Sequence, residues 1–383
     1  MKYGRKNHVN LNPLAYNICL LGESKIGKTT LVKEVCEKLA GEDGYLFLEL
    51  GMERGADAIE GINYVNCPEW DLPYDELTNS IGVADVIDDI LENKTTDYKD
   101  LQVVVFDTYD QFITLAENKS IALYNRENQE KKVNTINAAW GGYGRGEKKA
   151  IELMMEKLDA LHRIGVATFI IGHVKTKDVT DVVSGETYQT LTSDQQQNYF
   201  NALKKNLHVL GLAYIDREIV REKTGKKDPN TKKEVTIGKV TNEVRKIKFR
   251  DDTYCVDSGG RFASIVPEIP LDADAFIKAL TDAILAEQSK SGKTLEESKA
   301  EQAAENEKLD QRIAEQVKKS KEEKEIASII KECVDYIKAH RAEKPEVATK
   351  IVTMCTSAGF SNPTLVTDIN LARQIKAYLD EQK

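Results

Sequence analysis

No apolar run in this chain approaches the ~20 residues that a membrane-spanning helix requires, which argues against an integral membrane protein. The basic start, Met1-Lys-Tyr-Gly-Arg-Lys6, is followed by neither an apolar stretch nor a small-residue cleavage site, so a secretory signal is not expected and a cytoplasmic protein is. The six cysteines (Cys19, Cys36, Cys67, Cys255, Cys333 and Cys355) form no CxxC pair and no Cys/His ligand spacing. That argues against a zinc site and predicts reduced thiols buried as small apolar groups. A global excess of cations is also missing, because 54 Lys and Arg stand against 63 Asp and Glu, a net charge of −9. Nothing in the sum marks a nucleic-acid binder.

What the chain has is size and segregated charge. Its 383 residues suggest two or three units at roughly 150 residues each. With 41% apolar and 31% charged residues it can bury a large core, and it is neither collagen-like, mucin-like nor wholly disordered. Between Val174 and Arg250, 16 Lys and Arg face 10 Asp and Glu, a local net of +6, which leaves −15 for the rest. A ligand feels that local field more than the sum.

Short apolar runs alternate with helical spacing through the first half. Strands are expected at Tyr16–Leu21, Tyr45–Leu50, Leu101–Phe106 and Val166–Ile171. Helices are expected at Thr29–Leu39, Asp85–Leu91 and Ala150–Ile164. Continuous apolar strands between helices predict an α/β fold with a mostly parallel sheet covered on both faces. After Val174 the pattern changes to two long strands, Val209–Val220 and Val235–Phe249, around a basic turn with Lys226, Lys227, Lys232 and Lys233, which reads as an antiparallel extension. A helix follows at Asp272–Ala286. Residues 287–325 hold 11 acidic and 9 basic residues and read as a charged linker, either a solvated helix or flexible. Residues 326–383 show helical spacing again (Ile329, Ile330, Val334, Ile337) and form a small helical C-terminal unit. The expected domains are therefore 1–286, 287–325 and 326–383.

One motif carries chemistry. Gly22-Glu23-Ser24-Lys25-Ile26-Gly27-Lys28-Thr29 matches GxxxxGK[ST], with a strand before it and a helix after it, and Thr30 follows in that helix. Such a loop wraps a phosphate in backbone N–H groups at a helix N-terminus. Lys28 is placed to neutralise the β- and γ-phosphates, and the Thr29 hydroxyl to ligate Mg²⁺. Asp107 ends an apolar strand at the Walker-B position, where it can hold the magnesium and its water shell. ATP with Mg²⁺ is the expected ligand.

Hydrolysis also needs a group that activates water. Two glutamates close the second strand. Glu49 lies inside it, where it would simply face solvent, and Glu53 lies just past its edge in Gly51-Met-Glu-Arg-Gly55. Glu53 is preferred, because catalytic groups sit at C-terminal strand ends. His173 ends the fourth expected strand and is a candidate sensor of the γ-phosphate.

These pieces resemble, in their order, the compact RecA-like ATPases encoded by many bacteriophages beside recombination and single-strand annealing genes. The pattern comprises the phosphate loop, the strand ending at Asp107, Trp140-Gly-Gly-Tyr-Gly144, Ile170-Ile-Gly-His-Val-Lys175 and Lys246-Ile-Lys-Phe-Arg250. It covers roughly residues 12–286. The resemblance implies a RecA-like P-loop core, ATP hydrolysis, self-association into a ring or filament, and a place in the host cytoplasm. It also implies single-stranded DNA held by loops after the third and fourth strands, here 118–146 and 174–200. The first contains Tyr124, Arg126, Lys131, Lys132, Tyr143 and Arg145, and the second Lys175, Lys177, Tyr188 and Tyr199, a mixture of aromatic and basic groups suited to single strands. In such oligomers a neighbour's cation reaches the nucleotide, and Arg245-Lys-Ile-Lys-Phe-Arg250 holds candidates for that role.

The leading reading is thus an ATPase acting on single-stranded DNA in recombination or replication, with a phage single-strand-binding or annealing protein as a further partner. The alternatives are an oligomeric binding protein switched by ATP and a helicase-type replisome partner.

Overall fold

The computed structural model describes residues 7–181, 184–227, 234–250, 259–340 and 343–382, with the backbone alone for Ile219, 221–227 and 234–238. The chain divides into two compact units, one of residues 1–91 and 98–306 and one of 92–97 and 307–383.

In the first unit the elements run β1 (Ile18–Gly22), α1 (Lys28–Ala40), β2 (Tyr45–Leu50), β3 (Tyr64–Cys67), α2 (Val83–Asn93), β4 (Val103–Asp107), α3 (Tyr109–Glu127) and α4 (Arg145–Arg163). They continue as β5 (Ala167–Thr180), β6 (Thr187–Ser193), α5 (Gln197–Lys204), β7 (Val209–Lys227), β8 (Glu234–Lys248), β9 (Gly259–Gly260), β10 (Glu268–Pro270) and α6 (Ala273–Ser289). One sheet has the order β10-β8-β7-β1-β5-β4-β2-β3, with β6 paired to β5 and β9 to β7. From β3 to β7 the neighbours are parallel, whereas β8, β9, β10 and β6 join antiparallel.

The apolar runs become central strands because both faces are covered. Ile18, Leu20, Val103, Val105, Phe169 and Ile171 pack with Leu31, Val32 and Val35 of α1 and with Phe276, Leu280 and Ile284 of α6. The alternate positions Cys19, Leu21, Val104, Phe106 and Ile170 are equally buried on the other face, where α3 and α4 contact β5. This is an α/β P-loop core, a mostly parallel sheet with an antiparallel extension. In it β5 lies between the phosphate-loop strand β1 and β4, the strand that ends in Asp107.

Several expectations change. The short β3 adds a strand, and α3 fills much of the first expected DNA loop, so Tyr124 and Arg126 stand on a helix. The second expected loop is the β5–β6 hairpin followed by α5. The β7–β8 hairpin forms, but the tip residues Lys232 and Lys233 lie outside the described residues, as do the side chains of Lys226 and Lys227. Cys19, Cys36, Cys67, Cys333 and Cys355 are free and buried, and Cys255 lies outside the described residues.

Residues 287–325 are helical: α6 ends at Ser289, and α7 (Leu295–His340) takes up most of the remainder. With α8 (Pro345–Ser357) and α9 (Ile369–Gln382) the second unit builds its own core. Ile329, Ile330 and Cys333 meet Val347, Ile351 and Cys355 of α8 and Ala372, Ile375 and Leu379 of α9.

Candidate active site

The phosphate loop joins β1 to α1 at the C-terminal edge of the sheet. Gly27 has φ +106°, a conformation that side chains resist, and it opens α1 as its N-cap. Gly22 has a different reason to be glycine. A Cβ there would lie 2.9 Å from the Ala213 carbonyl oxygen and 3.3 Å from Lys28 Cδ. The loop is thus pressed against β7 on one side and the lysine stem on the other. Lys28 is only 6% exposed, and its amine donates to the carbonyls of Gly22 (2.9 Å) and Glu23 (2.8 Å). Burial pushes that amine below the usual lysine range, opposed by the carboxylates of Asp107, Asp110, Glu53 and Asp194.

Asp107 and Thr29 meet across 78 residues of chain, the Thr29 hydroxyl donating to Asp107 Oδ2 at 2.7 Å. Asp107 is 7% exposed, and burial pushes its carboxyl up to about 6, against the bond from Thr29. A hydroxyl and a carboxylate held together beside a buried lysine at a helix N-terminus fit Mg²⁺ and a triphosphate. The two oxygens are hard donors, and the loop offers backbone N–H groups to anions.

Register places the remaining groups. Glu49 lies directly beside Asp107, because β2 pairs with β4 there. It does not face solvent: it is 5% exposed, its Oε1 accepts from Ala56 N at 2.8 Å, and its Oε2 is buried without a partner. Burial raises its pKa. His173 lies opposite Gly22, where β5 pairs with β1. Its Nδ1 is 3.2 Å from Asp110 Oδ1, and Glu53 brings a carboxylate oxygen within 4.8 Å of both. The bond to Asp110 raises the His173 pKa, and burial opposes it. Burial works to raise the pKa of Asp110, but the bond with His173 contributes to a net lowering. Asp110 was not singled out from sequence. The available signal was a carboxylate three residues after Asp107, on the first turn of the next helix.

The sequence-selected cations scatter. Lys131 and Lys132 are exposed between α3 and α4, Arg126 sits in the last turn of α3, and Arg145 opens α4. Tyr143 is 98% exposed with φ +54°, whereas Tyr124 packs edge-on to Trp140 with ring centres 5.8 Å apart. Tyr199 is buried, its hydroxyl donating to Glu117 at 2.6 Å, so it is not available to a ligand as expected. Lys175, Lys177 and Tyr188 do converge. With Thr190, Phe200 and Lys204 they line a cavity of about 420 Å³ between the hairpin and α5. On β8, Lys246 pairs with Asp216 and Glu268, both at 2.9 Å. Arg245 instead turns into its own phosphate loop, donating from Nη1 to Ile26 O at 3.2 Å.

Fold and site together define a P-loop ATPase. A family model described as an AAA domain matches residues 14–244, and the chain belongs to that family. Among solved structures, a KaiC-like protein from the hyperthermophilic archaeon Pyrococcus horikoshii OT3 is similar at 12% identity, over 62% of this chain and 79% of that one, with a TM-score of 0.30. No curated protein sequence matches the chain. Among the described residues, no helix is long and apolar enough to cross a membrane.

Proposed function

We propose that this ATPase is phage-encoded and uses ATP with Mg²⁺ to act on single-stranded DNA in recombination or replication. The observation that carries this reading is the path of β5. The strand leaves the nucleotide site at His173, and within four residues its side chains Lys175 and Lys177 line a cavity with Tyr188 and Phe200. Cations beside aromatic rings suit a phosphodiester backbone with unstacked bases.

In the reaction, residues 22–30 hold the triphosphate and Lys28 neutralises its β- and γ-oxygens. Mg²⁺ held by Thr29 and Asp107 supplies further charge neutralisation. Glu53 accepts the proton of the attacking water, and His173 senses the γ-phosphate. Subunits assemble as a ring or filament. A phage single-strand-binding or annealing protein is the further partner.

The test is ATP turnover with Mg²⁺, with and without a single-stranded oligonucleotide, beside anisotropy of the labelled oligonucleotide. Stimulated turnover and ATP-strengthened binding are expected. Binding that depends on ATP without stimulated turnover would favour the switched binding protein, and no binding at low salt with ATP would sink the DNA reading.

A further inference from the structure

The turn after Asp107 touches both ends of the hairpin-helix segment that lines the cavity. At the entrance, Asp110 meets His173 Nδ1 at 3.2 Å, immediately before the outer half of β5. At the exit, the buried Tyr109 donates its hydroxyl to Tyr199 O, on the first turn of α5, at 2.9 Å. A third link closes the base: Asp194 N donates to His173 O at 3.2 Å, and Lys175 Nζ donates to Asp194 O at 2.7 Å. Beyond that base, five of the six β5 residues 175–180 are exposed, as are Thr187 and Gln189 of β6, so the outer hairpin rests on its face toward α5, which is held in turn by the Tyr109 bond and by the buried Tyr199, whose hydroxyl donates to Glu117.

We propose that Asp110 and Tyr109 are positioning residues that fasten both ends of the 174–204 segment to the Asp107 turn, so that the segment reports the state of the nucleotide. Asp107 bonds Thr29 of the phosphate loop, and a metal held by these two residues would shift Asp107 and with it residues 109 and 110 on the adjoining turn. Two anchors convert that displacement into a tilt of the hairpin, whereas one anchor would leave it free to swing. The charged groups that face His173 are Asp110 from α3, Lys28 from α1, Asp194 just after β6 and Glu53 from the loop after β2. Asp110 is the one in contact with the ring, and it holds the ring's orientation.

The inference rests on the nucleotide-site reading and not on the DNA reading. Its experiment is therefore run on the full chain without DNA. Amide hydrogen exchange is followed over 174–180, 187–193 and 197–204, with and without a non-hydrolysable ATP analogue and Mg²⁺. In the parent chain the analogue is expected to change exchange severalfold in all three stretches. Asp110→Asn is expected to bind the analogue within about threefold of the parent and to lose the response at 174–180, and Asp110→Glu to restore it. Tyr109→Phe, which keeps the buried ring, is expected to lose the response at 197–204 while 174–180 still responds. A parent chain without a response, variants that respond like the parent, or an Asp110→Asn chain that no longer binds the analogue would each overturn the proposal. An intact response in a protein that binds no DNA would sink the DNA reading alone.

Discussion

Strand β5 is two regions joined at one residue. From Ala167 to Gly172 every side chain or backbone position is buried, and from Lys175 to Asp178 every one is exposed, with His173 and Val174 between them. The inner half is held by packing on both faces and by parallel neighbours on both edges, β1 and β4. The outer half has a single antiparallel partner, β6. The first is a fixed wall for the nucleotide and the second is a lever that begins at that wall. The difference teaches where chemistry ends and coupling begins, at the residue facing Gly22 across the ladder.

The sharpest way to break the comparison is to disable the wall chemically and leave the lever alone. Lys28→Ala is expected to lower ATP hydrolysis by about 10³-fold. The buried amine also bonds two loop carbonyls, so a stability loss of about 1 kcal/mol accompanies it, readable by urea unfolding. Wild-type turnover in this variant would remove the loop from the reaction. Glu53→Gln is expected to keep ATP binding and lose about 10²–10⁴ in turnover. If Glu49→Gln does so instead, its buried, unpartnered oxygen beside Asp107 is the proton acceptor.

Stability sharpens the contrast. Phe169→Ala in the inner half is expected to cost about 3–5 kcal/mol, whereas Thr176→Ala in the outer half should stay within about 0.5 kcal/mol. Equal losses would mean that the hairpin is as tightly packed as the sheet. The junction itself should titrate. The folded His173 has a raised pKa, so its pair with Asp110 stabilises fully below the unfolded value near 6.5, and that contribution is lost as pH rises through the folded value. A half-buried pair of this kind is worth about 1 kcal/mol or less, so the stability deficit of His173→Gln should shrink between pH 6 and pH 9. The smallest effect belongs to the lever's ligand. Lys175→Ala with Lys177→Ala should flatten the salt slope of DNA binding by about one unit for each DNA phosphate that the lysines neutralise, with ATP binding intact.

The same boundary explains what could be read from the sequence. The inner strands were legible because burial on both faces leaves unbroken runs such as Val103–Phe106, and the phosphate loop because its spacing is tied to backbone geometry. Strand β3 was not, since Tyr64–Cys67 is four residues long and includes the half-buried Asn66. Helix α3 hid because its buried stripe includes Ser120, which accepts from Trp140 Nε1 and donates to Gly146 O. The Asp110–His173 pair was invisible because its members are 63 residues apart and meet only through the β4–β5 register. Glu49 was wrongly expected to face solvent: a strand inside a covered sheet has no solvent face.

The first glycine of the phosphate loop carries a different lesson. A side chain at Gly22 collides with the backbone of β7 before it meets any phosphate, and no change at position 213 can remove a carbonyl. Sheet assembly alone therefore requires a glycine there. Without nucleotide chemistry Lys28 and Thr29 would keep only their bonds to the loop carbonyls and to Asp107, whereas Gly22 would keep its whole steric reason. The glycine at the end of β1 thus answers to the fold, and the lysine to the phosphates as well.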